Sequence, residues 1–154
     1  MEFPREKGVY VLIAEVTHVS SLEVGRLGVF NIVPGYYAYV GSACGSGGLR
    51  ARLNHHLESD AGQHWHIDYL MQIASPIEIW CAVSDRKLEK DWAQLFNKAP
   101  AFRTPIPRFG SSDYRRSSLS HLFYSKRRPN YCWFAEKIGQ EFEPEIRVQQ
   151  FLLV

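Results

Sequence analysis

Apolar positions run almost unbroken from Gly8 to Val16, where GVYVLIAEV holds too many β-branched and aromatic residues for a half-exposed strand and predicts one at the centre of a sheet. Polar residues from Thr17 to Ser21 end it. Extended structure resumes from Leu22 to Ile32, with Gly25 and Gly28 as bulge or turn points, and Pro34-Gly35 marks a turn before a further strand, Tyr36 to Gly41. The most economical arrangement is an antiparallel meander whose first and last strands carry Tyr10 and Tyr39 close together.

The period then changes. After the turn Gly45-Ser46-Gly47-Gly48, the residues Leu49, Leu53 and Leu57 fall at i, i+4 and i+8, a helical seam. Arg52 and His56 share the neighbouring stripe one turn apart, which rests their stems on the sheet edge and sends their polar heads toward a cleft. His64 to Leu70 predicts a short helix and Ile77 to Val83 a strand. Leu88, Trp92, Leu95, Phe96 and Ala99 pattern a second long helix, with Glu89 on the edge of its apolar face. The prolines between Pro100 and Pro107 predict a loop, and Leu119 to Tyr124 a last strand. From Lys126 onward no clear period is visible, and the terminal FLLV suits an edge strand or a docked tail. The expected fold is α/β in the α+β sense, a small, mainly antiparallel sheet flanked by helices.

A chain of 154 residues, 45% apolar, supports one core and one globular domain. Its formal charge of +2 says little about partners, so position matters more than total. Arg103, Arg108, Arg115, Arg116, Lys126, Arg127 and Arg128 face only Asp113, and Phe109, Tyr114, Phe123, Tyr124, Tyr131 and Trp133 are interleaved with or follow them. Cations among aromatics favour nucleic-acid contact over a merely solvated face, because bases stack on rings while Arg and Lys hold phosphates. Three widely spaced cysteines, no span of ~20 apolar residues and no apolar N-terminal run predict a reduced, cytoplasmic protein without a membrane partner.

Taken singly, strand tyrosines are packing residues. Phenols joined to a guanidinium and an imidazole are another matter, since together they move protons and neutralise the charge of five-coordinate phosphorus. The order Gly8-Val9-Tyr10, then Tyr39-Val40-Gly41, then Arg50-Ala51-Arg52-Leu53 with His56 four beyond the second arginine resembles the GIY-YIG nuclease superfamily. The strings VGRLG, PGYYAYVGSA, GGLRARL before HHL, HWHIDYL, and FGSSD followed by SHLFY are similar to its branch of unknown function numbered 123, which also occurs fused to base-excision repair glycosylases.

That resemblance spans roughly Gly8 to Tyr124. It implies a GIY-YIG-like domain over residues 1–125 with an extension, 126–154, packed on it. It also implies a metal-dependent endonuclease of DNA, structure-selective or repair-related, linked functionally to a base-excision glycosylase. Within it, Tyr10 and Tyr39 lie on neighbouring strands, and one of them, as phenolate or through a relayed proton, activates water. Arg52 binds the scissile phosphate, His56 supplies a proton or orients that phosphate, and Glu89, with Asp91 and Asp85 as rivals, holds a single Mg²⁺ or Mn²⁺. Arg50, Arg108, Arg115, Arg116 and Lys126 are the expected nucleic-acid contacts.

Two departures bear on turnover. Ser42 stands where many such enzymes carry a lysine, and Tyr114-Arg115-Arg116 follows the Ser-Asp string where the branch usually has cysteines. They favour, as the alternative, a binding module of the same fold without catalysis. The spacing of His64, His66 and Asp68 also suits metal ligands. Trp65, Ile67 and Leu70 among them favour a packed element, with His66 and Asp68 in support and Asp68 orienting a histidine.

Overall fold

The middle strand of the sheet is β1, Gly8–Val16, because both of its faces are apolar. Tyr10, Leu12, Ala14 and Val16 point to one side and Val9, Val11 and Ile13 to the other, none more than 2% exposed. In this computed structural model, residues 2–58, 62, 65–110, 119–142 and 145–153 are described. His64, Asp113, Tyr114, Arg115 and Arg116 lie outside the described residues.

Five strands form one antiparallel sheet in the order β6-β4-β1-β5-β7, where β4 is Gly35–Ala43, β5 Ser75–Val83, β6 Leu122–Ser125 and β7 Gln149–Leu152. The expected meander is corrected. β1 pairs directly with β4, with Leu12 opposite Tyr39 and Tyr10 opposite Gly41, while β2 (Ser20–Val24) and β3 (Gly28–Ile32) form a separate hairpin. Only alternate residues of that hairpin are apolar and buried, as with Leu22 and Val24 between exposed Ser21 and Glu23. A strand with one apolar face packs on a sheet, whereas a place inside this one requires two.

Helices cover both faces. On the Tyr10 side, α1 (Gly48–Leu57) inserts Leu49 and Leu53, α2 (His66–Leu70) inserts Ile67 and Leu70, and the hairpin adds Leu22, Val24 and Ile32. Opposite, α3 (Glu89–Lys98) and α4 (Tyr131–Glu141) close a second core with Trp92, Phe96, Phe134 and Ile138 around Trp80. The segment that showed no sequence period thus supplies a helix and the edge strand β7. Asn130 caps α4 by accepting from the Cys132 and Trp133 amides, and the Tyr131 hydroxyl donates to the Val148 carbonyl. No described helix is long and apolar enough to cross a membrane.

The geometry that matters for function is at the far end of β4. Strand β6 pairs with Tyr36 to Tyr39 only, so Gly41 and Ser42 lie beyond its last partner. Side chains from both faces of the sheet can meet there.

Candidate functional site

Tyr10 and Tyr39 sit on adjacent strands with ring centroids 6.2 Å apart. The glycines of the two strings have steric reasons. A Cβ on Gly41 would stand 2.4 Å from the Tyr10 hydroxyl oxygen, and one on Gly8 2.2 Å from the Ala82 carbonyl oxygen. Only a residue without a side chain lets the Tyr10 phenol lie across β4.

The Tyr10 hydroxyl reaches His56 Nε2 at 2.7 Å, and His56 Nδ1 lies 3.2 Å from Asp68 Oδ1. A carboxylate only accepts, so Nδ1 carries the proton and Nε2 is left to accept from Tyr10. Burial lowers the His56 pKa, with Asp68 offsetting part of the effect, and the ring is therefore neutral near pH 7. Asp68 also accepts from His55 Nε2 at 3.2 Å and from the Trp65 amide at 2.9 Å, through Oδ2 in both cases. The carboxylate at the third position of α2 thus anchors the helix start and fixes a histidine on α1.

Arg52 lies on the same helix, one turn before His56. Its guanidinium donates from Nη1 to the Ser42 carbonyl at 2.8 Å and stacks over the Trp65 ring, 4.1 Å from the centroid. From the other face, Glu89 begins α3, and the Ser42 hydroxyl donates to its Oε2 at 3.4 Å. Glu89 Oε1 is 3.3 Å from His121 Nδ1, which also faces the Val40 carbonyl at 3.2 Å. Ser42 thus touches Arg52 through its backbone and Glu89 through its side chain. The rivals Asp85 and Asp91 are exposed and carry no contact to this group among those described.

Burial, and secondarily the neighbouring Tyr39, push the Tyr10 phenol well above its usual pKa, and Arg52 beside it offsets only part. Burial and then Glu89 push Tyr39 upward too. The neutral phenol is favoured at both positions, and the Tyr10 hydroxyl faces a histidine nitrogen able to accept from it.

The basic run divides. Arg128 pairs with the buried Glu78 carboxylate, Nη2 to Oε2 at 2.8 Å, and Arg103 stacks on Tyr124 at 4.6 Å. Burial would raise the Glu78 pKa, but hydrogen bonds from Trp80, Gln150 and Arg128 outweigh it and hold the group low. Phe109 and Phe123 are core residues at 0% exposure and cannot serve as the stacking platforms their spacing suggests, whereas the half-buried Tyr124 donates its hydroxyl to the Pro34 carbonyl and Tyr131 to Val148. Arg50 donates Nε to the Phe3 carbonyl, tying α1 to the N-terminal segment. Arg108 and Lys126 are exposed. His66 accepts from the Gly110 amide at 2.8 Å through Nδ1, away from Asp68.

Among the described residues, two arrangements suit a metal ion. Glu89 offers one partly exposed carboxylate, 30% accessible, beside a hydroxyl, which suits a hard divalent ion that keeps most of its waters. His55, His56 and Asp68 place one ligand atom each within 4.8 Å of one another, a softer nitrogen-rich set. Sequence reasoning assigned no task to Trp65, His121 or His55. Trp65 and His121 sit in the HWHIDYL and SHLFY strings, but their partners are distant in the chain.

Fold and site together define an α+β domain with a buried tyrosine–histidine–aspartate chain beside an arginine and a glutamate. The family described as "Domain of unknown function DUF123" matches residues 9–143, and the chain belongs to that family. No curated protein and no solved structure matches it.

Proposed function

We propose that the chain is a metal-dependent nuclease of the GIY-YIG type that hydrolyses phosphodiester bonds, with DNA as the foremost substrate. The observation that carries this reading is the meeting at Ser42 of Arg52 from one face of the sheet and Glu89 from the other, beside Tyr10 held on His56. A cation, a carboxylate and a proton acceptor around one point are what in-line attack on phosphorus requires.

In the proposed reaction Arg52 holds the non-bridging oxygens of the scissile phosphate. Tyr10 passes its proton to His56 Nε2 while taking one from the attacking water, and the imidazolium is stabilised by Asp68. A divalent ion, when bound at Glu89, supplies positive charge for the leaving oxygen. Ser42 occupies the place of the missing lysine and holds Arg52 and Glu89 in register. Losing the arginine contact is expected to raise the barrier by about 3 kcal/mol, by analogy with oxyanion-hole deletions.

The test is a cleavage screen with Mg²⁺ or Mn²⁺ over single-stranded, duplex, branched and abasic-site DNA and the matching RNAs. Abasic DNA is included because a link to base-excision glycosylases predicts that substrate. Cleavage by the wild type that disappears in Glu89→Ala supports the reading, and equal cleavage by both refutes it. The near-complete enclosure of Tyr10, 0% exposed, favours a second reading, a binding module of the same fold without turnover. Salt-dependent strand binding with no cleavage of any substrate would select it.

A further inference from the structure

Three sequence strings that the site above leaves unused, wholly or in part, converge elsewhere. VGRLG contributes Arg26 from the 3-10 turn Gly25–Leu27, HWHIDYL contributes His66 from the first turn of α2, and Arg108 immediately precedes the Phe109-Gly110 pair that opens FGSSD. Arg26, Leu27, His66 and Arg108 line a cleft of about 250 Å³. No described carboxylate lines it.

Each side chain arrives by its own constraint. The Gly110 amide donates to His66 Nδ1 at 2.8 Å, so that nitrogen is an acceptor and the ring proton sits on Nε2. His66, which lines the cleft, therefore carries an N–H donor without needing to be charged. Arg108 is the only non-glycine described with positive φ, at 61°, a left-handed conformation that a side chain adopts at a cost. The constrained residue is exposed and lines the cleft together with the exposed Arg26. Two arginines and a histidine that carries a ring N–H, around an opening that no described carboxylate side chain lines, match a tetrahedral oxyanion.

The cleft is also next to the candidate active site. His66 packs on Phe109 with centroids 5.5 Å apart, and Phe109 on Tyr39 at 5.9 Å. A Cβ on Gly110 would stand 2.9 Å from the Tyr39 ring. We propose that Arg26, His66 and Arg108 form a second phosphate-binding subsite, which takes a backbone phosphate of the same nucleic-acid strand, flanking the scissile one. The assignment to a strand rests on the nuclease reading; the anion chemistry rests on the cleft alone. The subsite fixes strand direction across the site and strengthens binding without entering the chemical step.

The experiment is fluorescence anisotropy of a labelled DNA strand against the full chain between about 50 and 200 mM NaCl, for wild type, Arg26→Gln, His66→Gln and Arg108→Gly. Each arginine variant should weaken binding roughly 5–10-fold at the lower salt and flatten the log-affinity against log-salt slope by about 0.7–0.9, the signature of one lost phosphate contact. His66→Gln should weaken binding with little change in slope. The rate at saturating strand should stay within about twofold of wild type in all three, a KM effect without a kcat effect. Arg108→Gly should keep or raise the thermal midpoint, because glycine accepts the backbone conformation, whereas an arginine with only a structural task would lose stability together with binding.

Wild-type affinities and slopes in Arg26→Gln and Arg108→Gly, with cleavage intact, overturn the subsite and leave the nuclease reading standing. A wild type that binds no strand at low salt overturns both. Inorganic phosphate that competes with the strand on wild type, and does so less on Arg26→Gln, supports the assignment. Phosphate that binds the cleft while the substitutions leave strand binding unchanged assigns it to a free anion and overturns the strand proposal.

Discussion

Replacing Asp68 with asparagine tests the proton path with almost no change of shape. Asp68 Oδ2 faces His55 Nε2 and the Trp65 amide, and Oδ1 faces His56 Nδ1. An asparagine can accept from His55 and the Trp65 amide with its carbonyl oxygen and turn its amide NH₂ toward His56. Nδ1 must then accept, the ring proton moves to Nε2, and Tyr10 loses its acceptor and has to accept a hydrogen bond where it donated one. The same tautomer error in serine hydrolases costs about 10⁴ in rate, and general-base contributions span about 10²–10⁴, so a fall of that order is expected. Exchanging two hydrogen bonds to a charged acceptor for neutral ones should cost about 1–3 kcal/mol of stability. Single-turnover nicking under Mn²⁺ gives the rate, and ¹⁵N chemical shifts of the His56 ring give the tautomer. A switched tautomer with a rate within about threefold of wild type would refute the relay.

The other predictions concern the same buried group. Tyr10→Phe leaves His56 Nε2 without its partner inside the core, and should lower the unfolding free energy by about 1–3 kcal/mol in urea; an unchanged midpoint would mean that the 2.7 Å contact contributes nothing. Gly41→Ala puts a methyl 2.4 Å from the Tyr10 hydroxyl oxygen, and should cost about 1–3 kcal/mol and abolish nicking, whereas a fully active variant would place the phenol elsewhere. The folded-state pKa of His56 is lowered, so between that value and the unfolded value near ~6.5 the unfolded chain binds more protons and stability falls as the pH drops. Thermal midpoints from pH 8 to about 5 should therefore decline below about pH 6.5, and decline less in His56→Gln. Equal declines in the two proteins would remove His56 as a source of the pH dependence.

Much of the fold was legible because period and composition agree within single elements. The density of apolar residues in Gly8–Val16 required a strand covered on both faces, and Leu49, Leu53 and the Leu88–Ala99 pattern required helices with one buried stripe. What sequence periodicity did not convey is which strands pair. The hairpin β2–β3 reads as two more strands of a meander, and only the competition for a doubly covered sheet sends it onto the face. The segment beyond Lys126 was opaque for a related reason, since α4 buries only Phe134 and Ile138 and β7 only half-buries Phe151.

The candidate site divides along the same line. Arg52 and His56 follow from one helical stripe, and Tyr10 beside Tyr39 from two strings of residues. The links that give them chemistry join residues far apart in the chain, such as Arg52 stacked on Trp65, Ser42 meeting Glu89 and His121 beside Glu89. Phe109 and Phe123 misled in the opposite direction. An interleaved ring looks the same in sequence whether it stacks on a base or, like Phe109 and Phe123, fills the core.

The central claim is that Arg52 and Glu89, brought together at Ser42, act on a phosphodiester. Conversion of supercoiled plasmid to the nicked circle in Mn²⁺, followed side by side for the wild type and a correctly folded Arg52→Ala, tests it most directly. Nicking by the wild type, slowed at least ~100-fold in the variant at saturating DNA, is the predicted result. Equal rates in the two proteins, or no nicking by either, would contradict the account.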